Sequence, residues 1–167
     1  MTDLPIQGRL LIAAATFGAR ASLTLGFTGA TDSGVGSIAA LVVLGLMLLI
    51  SNRFPLLLYG PNYSEAVSFD DGLLAVVLAL VPSGTTVLLF AATQLAAQIW
   101  RRRSPVKALF NTAQFTLSAA AAVTVADAVG RHPCHGTPKI VPAILAGVST
   151  FIVVNAVLVG ALLSLVA

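Results

Sequence analysis

The sequence consists of long apolar runs that are separated by short polar segments, and this alternation limits the folds that are open to it. Only 9% of its 167 residues are charged, whereas a soluble domain usually carries about 25%. A soluble core could not bury a chain that is 57% hydrophobic. The sequence therefore predicts an all-α integral membrane protein with a single membrane domain over residues 1–167.

Six apolar runs are candidates for membrane-spanning helices, each of which needs about 20 mostly apolar residues. They predict a bundle of six transmembrane helices with spans at about 9–28, 35–51, 65–81, 85–100, 107–129 and 140–166. The third helix is expected to be short or irregular, because the run from Asp71 to Val81 spans the membrane only if the helix starts near Glu65. If the third run enters the membrane only partway, five spans remain and the C-terminus lies outside.

Lysine and arginine residues are unevenly divided between the two ends of the predicted helices. With the N-terminus inside, the cytoplasmic side holds Arg9, Arg53, Arg101, Arg102, Arg103 and Lys107, and the outer side holds Arg131 and Lys139. This division predicts a multi-pass protein of the bacterial inner membrane with both termini in the cytoplasm. The run RRRSPVK could also bind acidic lipid headgroups, although its role in fixing the topology already accounts for it.

Polar side chains interrupt three of the predicted spans. Asn111, Gln114 and Ser118 share one helix face, because they are spaced three and four residues apart. Counted along the helices, Gln94, Gln114 and Asn155 lie at one level, roughly 8–10 Å from the cytoplasmic side. Two interpretations remain open. The amides either hold the helices together, at about 0.6 kcal/mol for each hydrogen bond, or they form a pocket for a neutral polar ligand.

Arg20 lies near the middle of the first predicted span, where a charged side chain costs about 2.5–3.5 kcal/mol. Asp70 and Asp71 fall at a similar depth when residues are counted back from Pro82. We therefore predict a structural ion pair between Arg20 and one of these two acids. The alternative is that Arg20 binds an anionic ligand and that the acids hold its side chain in place.

The sequence lacks the motifs of catalysis and of cofactor binding. It has no glycine-rich phosphate loop, no HExxH and no GxSxG motif, and nothing supplies a nucleophile, a base and an oxyanion donor together. His132, Cys134 and His135 could bind a metal, but a fourth ligand at suitable spacing is not evident. The charges are too few and too scattered for nucleic-acid binding. We expect no enzyme activity, no cofactor, no metal and no nucleic-acid partner.

The stretch RRRSPVKALFNTAQFTLSAA places a basic loop before a Phe-Asn-x-Ala-Gln run. The matching residues are Phe110, Asn111, Ala113 and Gln114. Together with the leucine-rich segment over 67–80, this stretch resembles the membrane-embedded N-terminal modules of bacterial signalling proteins. Those modules precede HD-type phosphohydrolase, GGDEF diguanylate cyclase or histidine kinase domains. The likeness covers roughly residues 53–166 and implies either a stand-alone relative or part of a longer signalling protein.

Three functional hypotheses follow. The first is a module that senses a small ligand or the membrane and signals to a cytoplasmic partner. The second is the solute-binding subunit of a transporter, because the six-span layout is similar in topology to substrate-binding subunits of energy-coupling-factor transporters. Its partner would be a transporter ATPase. The third is a structural scaffold in the lipid bilayer. Co-purification with an ATPase would favour the second hypothesis, and an altered signalling output after mutation of the pocket would favour the first.

Overall fold

A computed structural model of the chain shows helices joined by short connections. It describes residues 12–22, 38–54, 56–60, 63–67, 69–131 and 139–166. The first predicted span is therefore described only over residues 12–22, a helical segment that we label α1. The side chains of Arg9, His132, Cys134 and His135, which entered the sequence analysis, lie outside the described residues.

Five further helices and one β-hairpin follow α1. In chain order these are α2 (Ile38–Arg53), β1 (Leu56–Gly60), β2 (Tyr63–Val67), α3 (Asp70–Leu80), α4 (Ser83–Trp100), α5 (Pro105–Val129) and α6 (Ile140–Val166). The helical fold predicted from hydropathy is confirmed. The bounds of α2, α4, α5 and α6 lie within a few residues of the predicted segments, because each begins or ends at a break in the apolar pattern.

The segment before α3 differs from the prediction. A helix starting near Glu65 was expected, but β1 and β2 form an antiparallel hairpin in which Leu56 pairs with Val67. The helix begins only at Asp70, and its 11 residues extend about 16 Å, roughly half of a bilayer's hydrocarbon core. It is thus short, as expected, but its start is corrected. Hydropathy cannot distinguish a short apolar strand from the first turns of a helix, and strand pairing decides between them.

The centre of the bundle is held by aromatic packing among α4, α5 and α6. Phe151 of α6 is 1% exposed and meets Phe90 of α4 and Phe115 of α5 edge to face. The ring centroids are 5.9 Å and 5.7 Å apart, respectively. Such pairs contribute about 0.5–1.5 kcal/mol beyond the burial of their area. The α2 and α3 helices pack around this centre and complete the core.

The outer surface of the bundle is apolar. Two helices, Pro105–Val129 and Ile140–Ser164, are long and apolar enough to cross a membrane. In the second, only 17% of the most apolar window is buried, and Leu145, Val153 and Leu163 are each at least 60% exposed. Apolar side chains that face outward in such numbers are costly in water and favourable in lipid. The described helices therefore indicate association with a membrane.

A buried arginine joins three helices at the end of the bundle that lies opposite the arginine run. The Arg131 side chain has no exposed surface, and its Nε donates to Asp127 Oδ1 at 2.8 Å. Its Nη1 donates to the carbonyl oxygens of Leu78 and Val81 at 2.9 and 3.2 Å. Its Nη2 donates to Ser83 Oγ at 2.5 Å, and that hydroxyl donates to Asp127 Oδ2 at 2.6 Å. The end of α3, the start of α4 and the end of α5 are therefore tied together.

Replacing Arg131 with methionine should lower the free energy of unfolding by on the order of 3 kcal/mol, because two helix-end carbonyls and Asp127 lose a charged donor. Denaturation of the purified protein in mild detergent measures this loss. Lys139→Met removes an exposed cation from the same end and should cost less than about 0.5 kcal/mol. Equal losses of unfolding free energy in the two variants would contradict a stabilising role for the hydrogen bonds of Arg131.

Gly147 marks the closest approach of α6 to its neighbours. A Cβ atom at this position would lie 3.0 Å from the carbonyl oxygen of Ala122 and 2.9 Å from Leu78 Cδ1. Since the backbone oxygen cannot rotate away, Gly147→Ala should destabilise the bundle by about 1–3 kcal/mol. Gly160→Ala, on the same helix, meets none of the described residues within 4 Å and should cost little. Thermal unfolding in detergent compares the two, and a loss confined to Gly160→Ala would refute the packing argument.

Candidate functional site

A cavity of about 540 Å³ opens between the helices at the end that carries the arginine run. Its lining residues are Asn52, Asp70, Gln94, Gln98, Arg101, Asn111, Gln114, Phe115, Asn155 and Val159. Six of the ten are amides, each of which can both donate and accept hydrogen bonds. Pockets for small molecules usually measure about 300–1,000 Å³, so the volume suits a ligand of modest size.

Four of the six residues that the sequence proposed for ligand binding line this cavity. They are Gln94, Asn111, Gln114 and Asn155. They come from α4, α5 and α6, the three helices on which amides were expected at one level. The spacing of Asn111 and Gln114 also places both on the inner side of α5, because residues three apart share a helix face.

Hydrogen bonds between these amides link the helices across the cavity. Asn111 Nδ2 donates to Gln98 Oε1 at 3.3 Å and joins α5 to α4. Gln114 Nε2 donates to Asn155 Oδ1 at 2.5 Å and joins α5 to α6. Gln94 is 3% exposed, and its Oε1 has no hydrogen-bond partner among the described residues. The amides thus connect helices and line a polar space at the same time.

Opposite charges meet at one corner of the cavity. Asn52 Nδ2 donates to Asp70 Oδ1 at 3.2 Å, and the Arg101 guanidinium donates to the backbone carbonyl of Asn52. Burial lowers the pKa of Arg101, the charges of Arg103 and Arg53 lower it further, and Asp70 opposes them. Arginine stays protonated in proteins, so the corner presents a guanidinium beside a carboxylate. Through these two hydrogen bonds of Asn52, the end of α2 links the first turn of α3 to the end of α4.

The structure does not bring Arg20 to Asp70 or Asp71, which corrects the predicted ion pair. Arg20 is exposed on α1, and the described residues contain no ion pair between it and either acid. The α1 segment contacts α5 through Ala19, whereas Asp70 lies beside α2 in the cavity. The depths of Arg20 and the two acids, counted along their helices, were misleading because the prediction assumed that α1 and α3 are neighbours. Counting residues along a helix gives a depth, but it does not show which helices are in contact. Arg20 is also absent from the cavity lining.

Ser118, the remaining predicted residue, lies one turn beyond the cavity on α5. It is completely buried, it does not line the cavity, and its Oγ has no hydrogen-bond partner in the described part of the chain. The three potential metal ligands of the sequence HPCHG lie outside the described residues. Within the described residues, no group of three histidine, cysteine or acidic side chains could hold a metal ion.

Sequence reasoning missed three cavity residues, Asn52, Asp70 and Arg101, as parts of the polar site. A usable signal was present for two of them. Asn52 and Arg101 both end apolar runs on the side predicted to be cytoplasmic, so they share the level of the amides. The sequence-based interpretation uses Arg101 only to fix the topology and pairs Asp70 with Arg20. Neither assignment considered that the short α3 starts at this level.

The hydrogen bond between Gln114 and Asn155 should appear as coupling in a double-mutant cycle. Gln114→Leu and Asn155→Leu should couple by about 0.6 to 1.7 kcal/mol in unfolding free energy, the range of interhelical hydrogen bonds in membranes. Among the described residues, the Thr150 side chain of α6 bonds within its own helix, to the carbonyl of Ala146 at 2.8 Å. A control cycle of Gln114→Leu with Thr150→Val should therefore show no coupling. The absence of coupling in both cycles would argue against the contact.

Comparison with protein-family models, with curated proteins and with solved structures finds no match to this chain. The residues of the site form a polar cavity, rich in amides and with one charged corner, inside a bundle whose outer surface is apolar.

Proposed function

We propose that this chain is a bacterial inner-membrane module that binds a small polar ligand in the amide cavity and signals this to a cytoplasmic partner. The observation that carries the proposal is the cavity itself, which six amides, one carboxylate and one guanidinium line. Polar groups inside a membrane bundle are costly and usually mark a ligand or ion pathway. The amides favour a ligand without net charge, because they can pair with its donors and acceptors.

The proposed orientation places the cavity on the cytoplasmic side. Arg101, Arg102 and Arg103 follow α4 at the same end as the cavity, and the positive-inside rule assigns such a cluster to the cytoplasm. In this arrangement the chain crosses the bilayer six times and both termini are cytoplasmic. The short α3 runs from the cavity to the Arg131 end, and the segment before it completes the third crossing. The apolar outer faces of α5 and α6 contact lipid.

The resemblance to signalling modules supports the same proposal. The Phe-Asn-x-Ala-Gln run contributes its two amides, Asn111 and Gln114, to the cavity lining. A motif whose polar residues point into one cavity is better explained by ligand contact than by lipid contact. The module would precede or associate with an output domain such as a cyclase, a phosphohydrolase or a histidine kinase.

The α6 helix is the proposed transmission element. Asn155 and Val159 line the cavity, and α6 continues from Asn155 to Val166, about 16 Å further toward the cytoplasm. A ligand that competes for Gln114 or Asn155 would shift α6 against α5. Since packed helices have few alternative arrangements, such a shift passes to the helix end as a change between discrete states.

Native mass spectrometry of the detergent-extracted protein tests ligand binding. The wild type should retain a small molecule that Gln114→Leu abolishes, while the unfolding free energy falls by only about 1 kcal/mol. Thr124→Val is the matched control, because Thr124 is exposed on α5 and bonds the carbonyl of Ala120 in its own helix. It should retain the molecule. Identical spectra for wild type and Gln114→Leu would oppose the pocket.

The cavity would also suit the solute-binding subunit of a transporter, and partner capture separates the two functions. A sensor should co-purify with, or control, a signalling enzyme, whereas a transporter subunit should co-purify with an ATPase. A structural scaffold would co-purify with neither a signalling enzyme nor an ATPase, and Gln114→Leu would leave any activity of the protein unchanged.

A further inference from the structure

The turn between α4 and α5 and the start of α5 carry three exposed cations that form no ion pair within the described residues. Arg102, Arg103 and Lys107 are exposed, and the ion pair between Arg131 and Asp127 lies at the other end of the bundle. Exposed like charges repel one another. Their concentration at one end of the bundle therefore creates a positive potential that attracts anions.

Arg53, at the end of α2, adds a fourth charge to this turn. Its guanidinium carbon lies 5.7 Å from the ring centroid of Trp100 and 5.1 Å from that of Phe54. These distances fall within the range of cation–π contacts. The aromatic rings hold the Arg53 head group beside the α4–α5 turn, and its Nε makes no hydrogen bond within the described residues. We refer to Arg53, Arg102, Arg103 and Lys107 together as the basic rim.

Exposed apolar side chains lie next to the basic rim. Phe54, Ile99 and Trp100 are 63%, 67% and 53% exposed, respectively. Tryptophan and basic side chains together are typical of the level at which lipid headgroups meet the hydrocarbon core. A partner that combines a negative group with an apolar body would satisfy both parts of this surface. A soluble acidic protein or a free anion would satisfy only the charges.

The backbone of Arg102 is the second, independent observation. Its φ is +51°, a conformation that side-chain-bearing residues rarely adopt. The amide of Arg102 bonds the carbonyl of Ile99 at 3.0 Å, and the amide of Arg103 bonds that of Gln98 at 3.2 Å. This is the Schellman arrangement, in which the residue with positive φ is usually glycine.

The end of α5 shows the same arrangement with the usual residue. Gly130 has φ +107°, its amide bonds the carbonyl of Asp127 at 3.0 Å, and the Arg131 amide bonds that of Ala126 at 2.9 Å. Two helices of one bundle thus end alike, one on glycine and the other on arginine. Glycine would suit the backbone better at position 102, so arginine there carries a conformational cost.

We propose that the basic rim binds the phosphate of an anionic phospholipid headgroup, whose acyl chains lie against Ile99 and Trp100. Guanidinium groups match phosphate oxygens with paired hydrogen bonds, and each basic residue near an anionic membrane surface strengthens binding roughly fivefold. The inference rests on the membrane placement in the proposed function. It adds a lipid preference that is separate from the ligand of the amide cavity.

Native mass spectrometry in mixed micelles tests the preference. The purified protein is equilibrated with equal amounts of phosphatidylglycerol and phosphatidylcholine that carry the same acyl chains. The wild type should retain phosphatidylglycerol several-fold over phosphatidylcholine. The Arg102→Gly/Arg103→Gln double variant should lose most of this several-fold preference, because each basic residue near an anionic surface strengthens binding. Lys139→Gln, which removes an exposed cation from the opposite end, should keep it.

A second measurement separates lipid binding from folding. Arg102→Gly alone should keep or raise the Tm in neutral detergent, because glycine suits the positive φ, while it reduces the Tm increase caused by added phosphatidylglycerol. Inorganic phosphate at the same concentration should not reproduce that increase. Stabilisation by inorganic phosphate equal to that by phosphatidylglycerol would overturn the lipid assignment, and so would an unchanged preference in the double variant.

Failure of this inference differs from failure of the proposed function. Equal retention of both lipids by the wild type would overturn the anionic preference and leave the membrane module standing. Retention of neither lipid would overturn the preference together with the membrane placement.

Discussion

The bundle depends on the buried guanidinium of Arg131. A charge without exposed surface is tolerated only when its donors are paired, and here they meet a carboxylate, a hydroxyl and two helix-end carbonyls. A cation at the C-terminus of a helix also complements the helix dipole. The contact matters most for α3, which has only 11 residues and could not hold its place by length alone.

The two ends of α3 are held by different chemistry. Its C-terminal end is fixed by Arg131, and at its N-terminal end Asp70 accepts a hydrogen bond from Asn52 of α2. The cavity lies at this second end, bordered by α4, α5 and α6. The Arg131 end carries a network of charged hydrogen bonds, whereas the helices are joined across the cavity mainly by neutral amides. Rearrangement should therefore be easier beside the cavity.

The aromatic centre separates these two polar regions. Phe90, Phe115 and Phe151 pack α4, α5 and α6 together, while the Gln114–Asn155 hydrogen bond joins α5 to α6 on the cavity side. Close packing transmits displacement rather than absorbing it. A change at the amides would therefore appear as movement of the helix ends near the basic rim, where a cytoplasmic partner and lipid headgroups would both be within reach.

Hydrophobic periodicity by itself determined the helical segments and the amide face of α5, because helix formation and side-chain direction are local properties that repeat every 3.6 residues. Asn111 and Gln114 lie on this face, in the lining of the cavity. The tertiary structure alone decided that β1 pairs with β2 and that Asp70 bonds Asn52 rather than Arg20. It also decided that Arg131 is buried and paired with Asp127 rather than exposed on the surface. These contacts join residues far apart in the chain. They depend on which helices are neighbours and on where each begins, and those are properties of packing that a local pattern does not contain.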